Sequence, residues 1–320
     1  APAVALLAGG SATAAKTGEG EFPMKILFSL LLILTLASLA CGFSVDIPSR
    51  PTPGAEVTDE ITVAVPKPAQ GGAEAPGQNG TPVPAEIQLK LSFGAGDLHL
   101  SPGADDALVQ GTATYNIADF KPVVTADGGQ VEIRQGEYRF QSTNLADIVN
   151  EWDLKLGDAP MELTVNAGAY NGTYELGGLA LTGLTIKDGA ADVTVSFAEP
   201  NLAEMSVLRY ETGASTVTLT GLANANFSTL VFNGGAGDFT LDFNGDLQRD
   251  AIATIDSGFS DLKLVIPESV NAKVTVEGAA VNVNHSSGWA QSGQAYRQAG
   301  EGPLLTIIIE MGAGNVTITD

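Results

Sequence analysis

Cys41 is the only cysteine of the chain, and it directly follows a stretch with the layout of an export signal. Lys25 precedes a mainly apolar run over residues 26–36, and positions 37, 38 and 40 carry small residues. The run is shorter than the roughly 20 apolar residues that span a bilayer, so it is typical of a secretory signal. Cys41-Gly42 fits a lipobox, in which the thiol receives a diacylglycerol. We predict this lipidation, although Ser38 stands where a lipobox usually has Leu, and an ordinary signal peptidase would also cut before Cys41.

Two other patterns contain residue types that bind metals, but their spacing argues against a metal site. His99 and His285 are the only histidines and lie in distant parts of the chain, whereas zinc needs about four converging ligands. The stretch GGAGDF at 234–239 is close to the calcium-binding repeat GGxGxD, but Asp238 comes one position early. An aspartate at such a position commonly caps a turn. We therefore predict no metal and no other cofactor, with weak calcium binding left open.

The segment 284–303 carries the residues best suited to contact a partner. It contains His285, Trp289, Tyr296 and Arg297, and it lengthens the local repeat. Insertions of this kind form loops, and exposed aromatic side chains in loops can stack on a sugar or anchor a protein. The alternative, which we favour for Trp289, is that its ring folds back and closes the end of the apolar core.

Composition excludes several function classes. The net charge of −22 argues against nucleic acid, whose phosphates require a basic surface, and against direct contact with anionic lipid. The sequence contains no nucleophile elbow, phosphate-binding loop or dinucleotide fingerprint. A polysaccharide-degrading enzyme needs converging carboxylates, and the sparse basic residues that would assist them do not recur in register. We therefore predict that the protein is not an enzyme.

From residue 86 onward the chain repeats the phrase Gly-Ala-x-x-φ-x-φ, in which φ is apolar. The phrase begins at Gly94, Gly189, Gly213, Gly235 and Gly312, with variants at Gly168, Gly258 and Gly278. From Gly168 to Gly278 the successive glycines lie 20 to 24 residues apart, which indicates a stacked repeat architecture with a period of about 22. Glycine would permit a positive φ at the corner of each repeat.

Apolar and polar residues alternate after each Gly-Ala pair, as in Phe239, Leu241 and Phe243. This period of two predicts strands with one buried face. A second strand is predicted in each repeat, at 205–210, 227–232, 251–255 and 272–276. The fold class is therefore all-β, a solenoid of stacked short strands in which each repeat contributes two strands and two turns.

Composition shifts divide the chain into five segments. Residues 1–23 precede the signal and suggest a start site assigned too early, and 24–40 are the signal peptide. Residues 41–85 are rich in Pro and Gly and are predicted to form a disordered tether. Residues 86–157 are predicted to be a β cap sub-domain, with strands at 108–116 and 123–134, a turn at 127–129 and a helical turn at 145–151. Residues 158–320 form the predicted β-repeat domain.

The GAGDLHL stretch at 94–100, the Trp152-x-Leu-x-Leu segment and the later Gly-Ala strands resemble the toast-rack domains. These are bacterial domains of unknown function, related to the C-terminal part of cell-wall-active antibiotic response proteins. The resemblance covers residues 86–320. It implies a stacked β-architecture outside the membrane, linked in some members to control of an envelope-stress sensor kinase, and it supplies no catalytic residue.

Together these features predict a non-enzymatic, lipid-anchored protein of the cell envelope. It would bind an envelope protein or glycan, or serve structurally, and would contact the membrane through the lipid on Cys41. The alternatives are an accessory regulator of an envelope-stress sensor and, less favoured, a polysaccharide-active β-solenoid enzyme.

Overall fold

The computed structural model describes residues 53–66, 86–136 and 148–320, and almost all of these lie in strands of one sheet. Two short 3-10 helices, Ala118–Phe120 and Leu222–Ala225, interrupt the strands. The strands are β1 Val57–Ala64, β2 Ile87–Pro102, β3 Ala107–Tyr115, β4 Val123–Asp127, β5 Gln130–Arg134, β6 Asn150–Leu156, β7 Met161–Glu175, β8 Leu181–Lys187, β9 Ala190–Ser196, β10 Met205–Thr220, β11 Phe227–Asp242, β12 Ala251–Val265, β13 Val270–His285, β14 Ala290–Ser292, β15 Ala295–Gln298 and β16 Glu301–Thr319.

The predicted all-β stack is confirmed, and its rungs pair in parallel. The order through the stack is β2, β7, then β8 with β9, then β10, β11, β12, β16 and β13. β8 and β9 form the two halves of one rung, because both pair with β7 on one side and β10 on the other. Each rung thus adds its strand in register with the last.

Alternation along each strand builds the core. In β11, Leu230, Phe232, Phe239 and Leu241 point inward and are buried, whereas Asp238 lies on the outer surface. Burying one Leu or Phe side chain stabilises the fold by about 1.5–3 kcal/mol. The same pattern in every rung produces one apolar cluster that runs from Ile61 to Ile318 and crosses position 157 without a break.

The repeat unit differs from the prediction of two short strands per repeat. The segment 205–210 continues through Gly213 into the apolar residues that follow, so that β10 is one strand of 16 residues with a bend at its centre. The same holds for β11, β12 and β13. The two strands that the sequence suggested are halves of one strand, because the glycine bends the chain without ending its pairing.

One glycine from each rung lies against the next at this bend. We call Gly94, Gly168, Gly189, Gly213, Gly235, Gly258 and Gly312 the glycine row. A Cβ atom added to Gly235 would lie 2.3 Å from the carbonyl oxygen of Gly213, and one on Gly258 would lie 2.6 Å from that of Gly235. Close approach of neighbouring backbones is therefore what requires glycine here. The expected positive φ occurs instead two positions later, at Gly96, Gly237 and Gly314.

The N-terminal end of the described stack is more elaborate than predicted. β3 pairs with β1 and β6, and β4 and β5 form the predicted hairpin, with Gly128 at φ 59° in its turn. The prediction of a disordered tether was wrong for residues 57–64, because Ile61 and Val63 alternate and are buried. The predicted helical turn was wrong at 150–151, which belong to β6, and residues 145–147 lie outside the described residues.

The C-terminal rungs do not follow chain order. β16 pairs in parallel with β12 on one side and with β13 on the other. Gly312, not Gly278, therefore stacks on Gly258 in the glycine row. The segment 284–303 is not an irregular loop, since β14 and β15 form a hairpin whose second strand pairs antiparallel with β13.

Candidate functional site

Of the four residues that the sequence grouped in segment 284–303, the structure buries two and exposes two. Trp289 and Tyr296 are each only 5% exposed, so neither presents a free ring, and this burial agrees with the core-closing alternative. His285 packs against Tyr296 with ring centroids 5.3 Å apart, and the hydroxyl of Tyr296 lies 3.1 Å from Gln291 Nε2. Arg297 is exposed on β15. Cys41 lies outside the described residues, and His99 is exposed on β2, far along the stack from His285.

Because the rungs stack in register, equivalent outer residues form straight rows across the strands. Immediately before the bend lies a row that we call the acidic row. Its members, in the order of the stack, are Glu211, Asn233, Asp256, Glu310 and Glu277. Like charges placed side by side on neighbouring strands repel each other, so this row costs stability.

Two further rows follow the bend. The second residue of the Gly-Ala phrase forms the alanine row, and the fourth residue forms the Asp/Asn row. In the C-terminal rungs the Asp/Asn row contains Asp238, Asp261, Asn315 and Asn282. Asn315 Nδ2 donates to Asp261 Oδ1 at 2.5 Å, and Asn282 Nδ2 donates to Asn315 Oδ1 at 3.3 Å. These side chains therefore form a hydrogen-bonded line along the surface.

Phe259 breaks the alanine row. It pairs with Ala236 on one side and Ala313 on the other, and its side chain is 70% exposed. A large ring between two methyl groups stands above its neighbours and leaves both of its faces free of side chains from the same row. The sequence carried this signal, because the phrase at Gly258 has Phe where the other copies have Ala.

Two grooves flank this ring. One, of about 770 Å³, lies over the glycine row and is bordered by Asp256, Glu277 and Glu310. The other, of about 420 Å³, is lined by the Asp/Asn row together with Phe259, and we call it the Phe259 groove. Both volumes lie within the range of small-molecule sites, about 300–1,000 Å³.

The charges at the two ends of the acidic row differ. Lys187 Nζ lies 2.9 Å from a carboxylate oxygen of Glu211 and lowers the pKa of that carboxyl. Within residues 53–66, 86–136 and 148–320, no ion pair involves Asp256, Glu277 or Glu310. The three carboxylates at the C-terminal end of the row are therefore not neutralised by an ion pair among the described residues.

A second polar cluster is buried where β8 ends. Tyr210 Oη donates to Asp188 Oδ2 at 2.6 Å, and Thr212 Oγ1 donates to the other oxygen. Ser215 Oγ lies 2.5 Å from Thr212 Oγ1 and accepts from the backbone N–H of Ala191. Burial raises the pKa of Tyr210, so its hydroxyl stays protonated as a donor. The cluster joins the two halves of a broken rung and offers no open nucleophile.

The part of the chain that the structure describes also contains no group of three or more His, Cys, Asp or Glu side chains placed to hold a metal ion. No helix among those residues is long and apolar enough to cross a membrane.

Several solved structures are similar to this chain in fold. A candidate cell adhesion protein from Clostridium sporogenes has a TM-score of 0.44 and 20% identity, over 83% of this chain and 99% of that chain. A candidate adhesin from Bacteroides fragilis has a TM-score of 0.37 and 12% identity, over 84% and 98%. A candidate lipid binding protein from Parabacteroides distasonis has a TM-score of 0.35 and 11% identity, over 82% and 97%.

No curated protein matches the chain. The family model for the N-terminal domain of toast_rack, DUF2154, matches residues 79–208. The match includes β2 to β9 and the first four residues of β10, and thus both the N-terminal strands and the first rungs of the stack. Over residues 79–208 the chain is therefore similar to the toast-rack N-terminal domain family.

Proposed function

We propose that this protein is a non-enzymatic module of the cell envelope that binds a surface component and is held at the membrane by a lipid on Cys41. The observation that carries the proposal is the outer surface of the C-terminal rungs. A rigid sheet there presents an exposed aromatic ring between rows of hydrogen-bonding side chains. Rigid side-chain rows favour binding, because little conformational entropy is lost when a partner is bound.

The enzymatic alternative has less support. The carboxylates of the acidic row and of the Asp/Asn row project from the outer face of one sheet, and no basic side chain pairs with them near Phe259 among the described residues. Glycoside cleavage needs two carboxyl groups that face each other across a bond. The names of the similar structures, adhesins and a lipid binding protein, agree with a binding role but do not identify a ligand.

The role of accessory regulator for an envelope-stress sensor remains a second proposal, and it would use the same surfaces. His285 at the end of β13 and Arg297 on β15 are exposed and offer a further contact point. A crosslinking experiment in intact cells would capture a membrane protein if this role holds.

Membrane attachment is tested by two substitutions in the signal. Ser38→Leu restores the usual lipobox residue and removes the small residue that an ordinary signal peptidase requires. We expect the wild type and Ser38→Leu to enter the detergent phase of a phase-partitioning experiment and to incorporate a labelled fatty acid. Cys41→Ser should do neither. If Ser38→Leu instead blocks processing and the wild type takes up no label, the lipid anchor is wrong.

Binding is tested separately with the secreted, unlipidated protein. We expect the purified chain to sediment with isolated cell envelopes in a saturable manner. If it remains in the supernatant at every concentration of envelope, the proposed binding function is wrong, whatever the experiment on lipid attachment shows.

A further inference from the structure

We propose that the Phe259 groove binds a neutral saccharide, with one sugar ring stacked on Phe259 and its hydroxyls held by the Asp/Asn row. This inference rests on the proposed binding function and gives it a ligand class. Three features support it: the exposed ring, the donors and acceptors beside the ring, and the regular spacing of the strands.

The first step concerns the exposed ring. Phe259 is the most exposed of the large apolar side chains among the described residues, at 70%, although its neighbours in the same row are alanines. An exposed Phe contributes nothing to the core, and Ala at this position would fit the repeat. Aromatic side chains combine a large apolar face with an orienting quadrupole, so they suit partners that present C–H groups on a flat face. A pyranose ring has such a face.

The second step concerns hydrogen bonds. A sugar hydroxyl both donates and accepts, so a saccharide site needs both kinds of group. Asp238 and Asp261 supply acceptors, while the amides of Asn282 and Asn315 supply donors and acceptors. In the amide line, each Asn uses one N–H toward its neighbour, which fixes its orientation and leaves the second N–H for a ligand.

The third step concerns geometry. The Asp/Asn row contributes one polar side chain from each of β11, β12, β16 and β13, and neighbouring strands lie about 4.7–4.9 Å apart. A linear saccharide lying along the row would meet a hydrogen-bonding group at every strand. Phe259 stands beside the second of these four positions, so it would stack on a ring inside the bound chain and not beyond its end.

The amides distinguish this ligand from one that is recognised through its cationic groups alone. Negative charge alone would attract lysine or arginine side chains, and the groove over the glycine row is the more acidic of the two. In the Phe259 groove, however, half of the row is amide, and an ammonium or guanidinium group cannot accept the hydrogen bonds that amide N–H groups offer. The donors in this groove are satisfied by hydroxyl oxygens.

The test uses the purified secreted chain on an array of neutral oligosaccharides, followed by affinity titration with the tetrasaccharide that binds best. Phe259→Ala, which restores the residue of the other repeats, should weaken affinity about tenfold. Phe259→Trp should retain binding because it keeps an aromatic face. Leu202→Ala removes another exposed apolar side chain, which is 69% exposed outside the groove, and should have no effect.

The outcomes separate this inference from the proposed function. Envelope sedimentation that is unchanged in Phe259→Ala, or an array on which wild type and Phe259→Ala give equal signals, overturns the saccharide site but leaves the binding module intact. Binding of an oligolysine peptide that depends on Phe259, with no neutral saccharide bound, also overturns it in favour of a cationic ligand. Loss of affinity in Asn315→Leu, with unchanged thermal stability, would add support for the Asp/Asn row as the hydrogen-bonding partner.

Discussion

At the scale of single residues, the glycine row shows how stacking limits side-chain size. A Cβ atom on any of these glycines except Gly94 would meet the carbonyl oxygen of the glycine in the neighbouring rung, and a backbone atom cannot move aside as a flexible side chain can. The limit on side-chain size comes from the parallel register, because it places the equivalent residue of each rung directly beside that of the next rung at the bend.

We expect Gly235→Ala to destabilise the protein by about 1–3 kcal/mol, since its Cβ would lie 2.3 Å from the carbonyl oxygen of Gly213. The measurement is the free energy of unfolding from chemical denaturation. Gly288→Ala is the matched control, because nothing lies within 4 Å of a Cβ there and its φ is not positive. Equal stabilities for the two variants would mean that the backbones at the bend are not in close contact.

Phe259 shows what sequence reasoning at this scale could and could not find. Its departure from the Gly-Ala phrase was visible, but a single Phe in an apolar pattern is more often buried, and only the register shows that its row faces outward. Burial of Trp289 was already the favoured expectation, whereas Tyr296 was expected in an exposed loop because its segment exceeded the period. The segment instead forms a hairpin whose second strand pairs with β13, and both rings are buried.

At the scale of elements, β1 is a strand with few structural supports. It pairs only with β3, and Ile61 and Val63 are its buried side chains. Asp59 strengthens the contact, since Tyr115 Oη donates to its carboxylate at 2.7 Å and Lys121 Nζ lies 3.1 Å away. These two partners lower the pKa of Asp59, and burial together with this hydrogen bond raises the pKa of Tyr115 to about 12.

This arrangement predicts a pH-dependent attachment of β1. A carboxyl whose pKa is lowered by folding contributes stability above its ordinary pKa, and this contribution is lost as the pH falls through the lowered value. In the wild type, we expect the hydrogen-exchange protection factors of the β1 amides to decrease when the pH is lowered below about 4. In Tyr115→Phe, these protection factors should be lower than in the wild type at neutral pH, and they should decrease less when the pH is lowered.

Amides of β11 provide the internal control, because that strand has a rung on each side and no contact with Asp59. If Tyr115→Phe leaves the acid dependence of β1 unchanged, the carboxylate does not hold this strand.

Most elements of the stack could be predicted because alternation is a local property of the sequence. The apolar residues of β11 and β12 alternate over each half of the strand, and the turn at Gly128 carries its own signal. β1 was missed because prolines surround it, and only two of its side chains are buried. Whether a glycine ends a strand or merely bends it depends on pairing with the next rung, which local sequence does not contain.

At the scale of the whole described stack, β16 is the joining element. It fills the space between β12 and β13, which are consecutive in the chain but not paired with each other. A regular repeat predicts neighbours in sequence order, so this exchange could not be inferred from the period. The long step from Gly278 to Gly312 was its only trace.

We expect Ile307→Ala to cost about 2–5 kcal/mol of unfolding free energy, because the side chain is fully buried between Ala253 of β12 and Val274 of β13. Native-state hydrogen exchange should show increased opening of β12 and β13 together. Ile308→Ala, one residue along on the outer face, should cost less than about 1 kcal/mol. Opening confined to β13 would show that β12 does not depend on β16.

The position of β16 also sets the order in which the molecule can be completed when the chain emerges from its N-terminal end. The rungs from β7 to β12 can each be laid on the previous one as they appear. β13, β14 and β15 then emerge before β16, which joins them to the other rungs. The edge of β12 therefore stays unpaired until β16 has emerged. During translocation across a membrane, the rungs up to β12 would therefore form one after another. The stack would then stay incomplete until β16 has emerged and paired with both β12 and β13.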